Sequence, residues 1–411
     1  MADLLSDTLR SIRAHSLRFG LTSLGIVWGI AMLTYLSAAM DGYDLHFEQQ
    51  MDKVGQRIVF MFPGMVTKKH VGQRDARAVE LKMEDIERLS TLHSVARAAP
   101  NTWVGPRMTR AGRRTKLVWT WGASEETARI RNFQLDTGRM ISKRDVDEAR
   151  NVMFLGAKVA RRLFGRAPPV GRRVHIDGIP FRVIGVSKPK GEQIIYIGPA
   201  DDEVALIPIT TAQRWFTKSE AVGFFVFAPR SRAESWDATR HARALLSLHN
   251  DFHHADETAM GHFNIQEAVD IVNTLLLGLR VFLGTAGLIT LFVGAVGVMN
   301  IMLVVVAERT KEIGLRKAVG ASNRAIFAQF LTETLVITIA AGLLGAILGW
   351  LGVSLTSATV PEGSTMAAKP ILRAGARLTV FFTLVGTGLV SGLLPALRAS
   401  RIEPAISLRA V

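Results

Sequence analysis

The chain has 411 residues, 48% of them apolar, with 50 Lys and Arg against 35 Asp and Glu, a formal net charge of +15 and no cysteine. Without cysteine, a disulfide framework and any thiol-based metal or redox site are excluded. The apolar residues fall in blocks that point to membrane spans, and no RNA- or DNA-binding motif accompanies the charge, so nucleic acid is not an expected partner.

Met1 to His15 reads as a short helix, with Leu4, Leu5, Leu9 and Ile12 on one face and Arg10 and Arg13 elsewhere. Such a helix suits the surface of a membrane and contact with its lipids. Phe19 to Met40 follows, 22 residues without a charge. It is too long for a secretory signal and lacks a clear cleavage site, so it is expected to stay as a membrane helix.

Asp41 to Arg280 reads as a separate α+β region. It holds 36 Lys and Arg against 28 Asp and Glu. Met61 to Ala78 reads as a mobile loop and Val79 to Leu92 as a helix, with Val79, Met83, Ile86 and Leu89 on one face. Leu117–Trp121, Asn151–Leu155, Val204–Ile207 and Phe224–Ala228 read as strands, and Ala157–Phe164 as a helix. Arg173–Ile176 and Phe181–Val186 form a predicted hairpin turning at Asp177-Gly178. Trp103, Trp119, Trp121, Trp215 and Trp236 are expected to pack in the core. His249, His253, His254 and His262 are expected to be surface histidines, although His249 and His253 have the spacing of metal ligands on one helix face.

Ile265, Val269, Val272, Leu276 and Leu279 recur at helical spacing, which predicts one helix from about Gln266 to Lys311 that includes the uncharged run Val281–Ala307. Two further uncharged runs follow, Thr334–Val360 and Leu378–Leu397. Each is long enough to cross hydrocarbon. Lys and Arg in the N-terminal tail, the 308–324 loop and the C-terminal tail put those three segments on the cytoplasmic side. Gly345 and Gly349, then Gly388 and Gly392, have GxxxG spacing and mark candidate helix-packing faces. Glu333, just before the third run, is read as reaching the cytoplasmic interface rather than holding a buried partner.

The expected fold class is an α-helical membrane protein with four transmembrane helices and a large α+β extracytoplasmic domain between helices 1 and 2. The expected divisions are 1–40, 41–265 and 266–411. No catalytic set and no metal cluster stands out, and no GxxxxGK[ST] phosphate loop is present. The chain is therefore read as a non-catalytic subunit.

Two stretches near the C-terminus carry a resemblance. Asn300-Ile301-Met302-Leu303 with Glu308-Arg309-Thr310-Lys311-Glu312-Ile313-Gly314-Leu315-Arg316-Lys317-Ala318-Val319-Gly320-Ala321-Ser322, and Gly392-Leu393-Leu394-Pro395-Ala396 with Glu403-Pro404, resemble the FtsX/MacB permease family. Asn151 to Val186, including Leu163-Phe164-Gly165 and Pro169-Val170-Gly171, is similar to the MacB-like periplasmic core domain, and Ile207 to Ala212 continues the likeness. The resemblance implies an ABC transporter permease in a bacterial inner membrane, dimeric, with the large domain periplasmic. It implies ATP hydrolysis on a separate ABC ATPase chain, with no cofactor bound by this one. It also implies a role for Glu308, Arg309, Glu312, Arg316 and Lys317 in coupling to that ATPase, with Arg316 and Lys317 meeting acidic groups on it. A periplasmic adaptor and outer-membrane channel are the further partners it implies. Two other readings share the membrane core: an FtsX-like regulator of envelope proteins and a LolCDE-like lipoprotein-extraction subunit.

Overall fold

The computed structural model describes residues 16–55, 57–68, 77–193, 197–361 and 367–403. The predicted helix over Met1–His15 and Pro404 of the C-terminal motif lie outside them. The chain divides into two compact units. One is Glu48–Thr274; the other joins the residues up to Phe47 with those from Leu275 onward.

In chain order the first unit begins at the end of α1 (Ser16–Val54), then runs β1 (Val59–Pro63), α2 (Met83–Thr91), β2 (Val95–Ala111), β3 (Arg114–Ala123), α3 (Glu125–Ile130) and β4 (Leu135–Gly138). It continues with α4 (Lys143–Asp147), β5 (Val152–Leu155), α5 (Ala157–Phe164), β6 (Arg173–Ile176), β7 (Ile179–Ser187) and β8 (Val204–Pro208). Last come α6 (Ile209–Ala212), β9 (Phe224–Pro229), α7 (Ser235–His249) and β10 (Met260–Asn264). The ten strands among the described residues join one mixed sheet in the order β10-β1-β9-β2-β3-β8-β5-β7-β4, with β6 bridging β2 and β7. β2 is the axis. Its first part, Val95–Asn101, pairs with β9, Asn101–Ala111 pairs with β3, and Thr109 and Arg110 near its end also pair with β6. A bulge between Trp103 and Gly105 shifts the register there, with Gly105 at φ +85°. Beyond it the alternation continues with Thr109 and Ala111 inward and Pro106, Met108 and Arg110 outward.

The core of the β2/β3/β6/β7 region is Val104, Val118, Val174, Ile176, Phe181 and Val183, closed by Val159, Ala160 and Leu163 of α5. Each such apolar side chain contributes about 1.5–3 kcal/mol on burial. The β6–β7 hairpin turns at Asp177 (φ +48°) and Gly178 (φ +89°), two consecutive positive-φ residues that match the twist of the paired strands. Trp121 is fully buried and meets Trp103 edge-on at 4.8 Å. The buried Arg131 guanidinium stacks over Trp121 at 4.3 Å and pairs with buried Asp201, which Lys190 also reaches at 2.7 Å.

The structure departs from the sequence reading in several places. Residues 61–63 are strand, and the predicted helix from Val79 begins only at Met83, where the Asp85 carboxylate accepts from the Lys82 amide at 2.9 Å. Val79 and Leu81 are buried outside that helix, Leu81 through a bridge to Val222. Trp119, Trp215 and Trp236 are exposed rather than core. The histidines are at the surface as expected, His249 and His254 exposed and His253 and His262 half-buried; His249 is the last residue of α7, so His253 falls past the helix end and the two do not share a helix face. Among the described residues no group of three metal-ligating side chains converges.

Asp145 in α4 is fully buried as a side chain. Burial opposes its ionisation, but hydrogen bonds from the Arg139 guanidinium and from the Ser142 amide and hydroxyl prevail and hold its pKa at about 2. The folded value lies below the ordinary carboxylate value near about 3.9. Its stabilisation is therefore complete above about pH 4 and is lost as pH falls through 2. In Asp145→Asn, acid unfolding followed by tryptophan emission should lose part of its slope between about pH 4 and pH 2; an unchanged slope would refute the assignment.

The second unit holds the apolar helices. α1, α8 (Ile265–Glu308), α10 (Asn323–Thr359) and α11 (Ala374–Ser400) are each long and apolar enough to cross a membrane; they are called spans one to four. A short helix, α9 (Thr310–Ala318), lies between spans two and three. The segment before span four crosses the far end of span one. The Ile371 amide donates to the Ala38 carbonyl at 2.8 Å, and only a glycine at position 42 leaves room for the Lys369 carbonyl.

Candidate functional site

The corner between spans two and three is built from Glu308 to Gln329. The α8 helix ends at Glu308, and α9 starts at Thr310 after the single residue Arg309. Ile313 on the inner side of α9 is buried in the span core with Val305, Val306, Ile326 and Phe330. A turn through Gly320 (φ +107°) leads to Ser322, whose hydroxyl accepts from the Ala325 amide at 3.2 Å and caps span three. That cap satisfies one of the unpaired donors at a helix start.

Three polar links fasten this corner to the spans. Arg309 meets Glu333 at 3.4 Å, and the Glu333 side chain is only 4% exposed. The expectation that Glu333 simply reaches the interface is corrected: it lies inside the α10 helix and is buried against Arg309. Lys317 donates from Nζ to the Ser400 carbonyl at 2.9 Å and to the Ile402 carbonyl at 2.6 Å. An ammonium at the unpaired carbonyls of a helix end is favourable. Arg316 donates to Gln329 Oε1 at 2.9 Å. Of the five residues singled out for coupling, Arg309, Arg316 and Lys317 therefore bind the spans, Arg316 from an exposed position, while Glu308 and Glu312 are exposed on the corner's surface.

The opposite side of the corner is open and apolar. Leu315 is 58% exposed and Val319 82%. With Arg316, Gly320, Ala321, Ala325, Ile326 and Gln329 they line a shallow groove of about 590 Å³. The charges of α9 drew the sequence reading away from Leu315 and Val319; the available signal was these two apolar residues four apart, Val319 just past the end of α9, amid the charges of the corner.

The four glycines sit at close contacts. A Cβ at Gly345 would lie 2.4 Å from the Val27 carbonyl oxygen, and one at Gly349 2.7 Å from that of Ala31, so span three meets the backbone of span one. Gly388 and Gly392 face span three, at 2.9 Å from Leu335 and 3.0 Å from Leu331 and Thr334. Gly25 and Gly294 bring spans one and two together in the same way.

A profile described as the MacB-like periplasmic core domain matches residues 19–244, more than half of the chain, and one described as the FtsX-like permease C-terminal matches residues 284–404. The chain belongs to the MacB/FtsX-type family of ABC transporter permeases. It is a multi-pass inner-membrane protein with an extracytoplasmic domain between spans one and two. Macrolide export ATP-binding/permease protein MacB of Azoarcus sp. strain BH72 is 32% identical over 99% of this chain and 60% of its own length. Pyoverdine export ATP-binding/permease protein PvdT of Pseudomonas syringae pv. tomato is 31% identical over 99% of this chain and 59% of its own. The chain thus spans about 60% of the length of these relatives. The periplasmic region of MacB from Actinobacillus actinomycetemcomitans is 19% identical, with a TM-score of 0.44 over 55% of this chain and 95% of that one.

Proposed function

We propose that this chain is the permease subunit of a MacB-type ABC transporter. A separate cytosolic ATPase seats on the 308–324 corner, and ATP-driven movement of that corner is passed to the extracytoplasmic domain to export or extract a substrate. The observation that carries the reading is the groove around Leu315 and Val319, an exposed apolar surface on a corner fastened to spans three and four. Apolar centres ringed by polar groups are what protein partners bury. The Lys and Arg of the corner and both tails support cytoplasmic termini. ATP is bound by the partner. A second copy of the chain completes the membrane assembly, and a periplasmic adaptor with an outer-membrane channel extends it. The export functions in the relatives' names and the core-domain match favour transport over an FtsX-like regulatory role.

The test is co-purification from membranes with candidate cytosolic ATPases, in the presence and absence of nucleotide. Lys317 is a poor site for it, because its reversal also frees the end of span four. Val319→Asp changes only the exposed surface. Wild type should retain an ATPase and Val319→Asp should lose at least about tenfold of it, an interface residue costing 1–2 kcal/mol, while inserting normally. If no ATPase associates under any nucleotide condition, or the variant retains it fully, the coupling role is wrong.

A further inference from the structure

The charge of the extracytoplasmic domain is not spread evenly. Residues 104–119 and 156–187 hold twelve Lys and Arg against one Asp, whereas the rest of 41–280 holds twenty-four against twenty-seven. The fold brings the two segments into one lobe, β2/β3/β6/β7 closed by α5, around a shared core. Arg107 pairs with Asp177, and Lys158 and Arg162 with Glu203. Arg110, Arg113, Arg114, Lys116, Arg161, Arg166, Arg172, Arg173 and Arg182 are all exposed and have no acidic partner among the described residues.

The outer face of the lobe's sheet combines charge with apolar surface. Pro106 lies opposite Trp119 and Met108 opposite Leu117 on β2 and β3. Trp119, Leu117 and Met108 are exposed at 41%, 59% and 52%. Arg110 follows on the same face opposite His175 of β6, and Arg173 lies directly opposite Arg182 of β7. Like charges directly opposite across strands are destabilising. A fold that keeps such a pair on the same sheet face as an exposed Trp and Met breaks a local rule in the way functional surfaces do.

We propose that this sheet face is a docking surface for an acidic periplasmic protein, whose carboxylates pair with Arg110, Arg173 and Arg182 while an apolar segment covers Met108, Leu117 and Trp119. Cations are nearly all arginine here, and arginine binds carboxylates in bidentate geometry. Trp, Met and Arg are the residues enriched where protein partners meet, and they favour a protein over an anionic lipid surface, which needs only charge.

The inference rests on the extracytoplasmic placement of the domain and is independent of the ATPase. Its test uses the full chain in nanodiscs of zwitterionic lipid, with a labelled peptide of alternating Glu and Leu as the probe. The triple variant R110E/R173E/R182E is compared with K82E/R230E/R240E, which changes the net charge equally at other exposed sites. Binding should be salt-sensitive, fall at least about tenfold in the first variant and in Trp119→Ser by a few-fold, and stay near wild type in the second. Equal loss in both triple variants would reduce the effect to net charge and overturn the proposal. Failure to bind the peptide while phosphatidylglycerol vesicles bind the lobe would overturn it in favour of a lipid surface. Either failure leaves ATPase co-purification untouched.

Discussion

Replacing Gly345 with leucine should destabilise the membrane unit by more than about 3 kcal/mol. The Cβ alone would stand 2.4 Å from the Val27 carbonyl oxygen and 3.0 Å from Ile30 Cβ. The first of these is backbone in the middle of a helix and cannot rotate away. Spans one and three would have to separate, and in lipid their association depends on close packing because the hydrocarbon outside is as apolar as the helices. Gly349→Leu should behave alike, since the Ala31 carbonyl stands 2.7 Å away. The control is Gly386→Leu, in span four, whose added Cβ meets nothing within 4 Å. That change should be neutral or slightly stabilising, because leucine is the better helix former. Detergent unfolding of the three variants measures the difference. Equal stability at 345 and 386 would show that the tight contact is not formed.

The second large effect is expected at Arg309 and Glu333. Arg309→Leu leaves the Glu333 carboxylate buried without the guanidinium 3.4 Å away, and breaking such a pair from one side costs about 3–5 kcal/mol. Glu333→Leu should cost less, because the Arg309 side chain is 20% exposed against 4% for Glu333 and can turn toward water. The double variant Arg309→Leu/Glu333→Leu should be more stable than Arg309→Leu alone, since the buried carboxylate is then removed together with the guanidinium that faces it. A double variant no better than the worse single would mean that the two side chains act separately. Folding of the double variant also allows a functional question: whether a corner of normal stability, but without the link from α9 to span three, still responds to nucleotide.

How far the sequence could be read depended on how each element gets its stability. The four spans were legible because hydrocarbon demands about twenty apolar residues in a row. The β6–β7 hairpin was legible because Asp177-Gly178 supplies the two positive-φ positions that its turn needs. β2 was not legible, although it is the axis of the sheet. It contains Pro100, Pro106, Gly105 and three arginines, and the bulge at Trp103 breaks its inward–outward alternation, which is the signal a strand gives. The α7 helix escaped notice because its buried face is mostly Ala238, Thr239 and Ala242, too small to stand out before Leu246. At the corner, the charges of α9 were visible, but their assignments were not. That Lys317 reaches the end of span four depends on residues 83 and 85 positions later, a contact that no local pattern encodes. Glu333 was misread for a related reason: whether a carboxylate near a span start is wet or buried is decided by the neighbouring helix.

The connection of the spans to the sheet has a mechanical consequence. Span one leads through a few residues into β1, and β10 leads directly into span two. β1 and β10 are antiparallel neighbours, with Val59 opposite Asn264 at the ends nearest the spans and Pro63 opposite Met260 at the other. Their hydrogen bonds run perpendicular to the strands. A pull along the strands strains all the bonds between β1 and β10 together in shear, and the pair resists as a block. A pull across the strands strains the bonds one at a time from Val59 and Asn264, and the pair opens like a zip. The same joint is therefore stiff along its strands and weak across them.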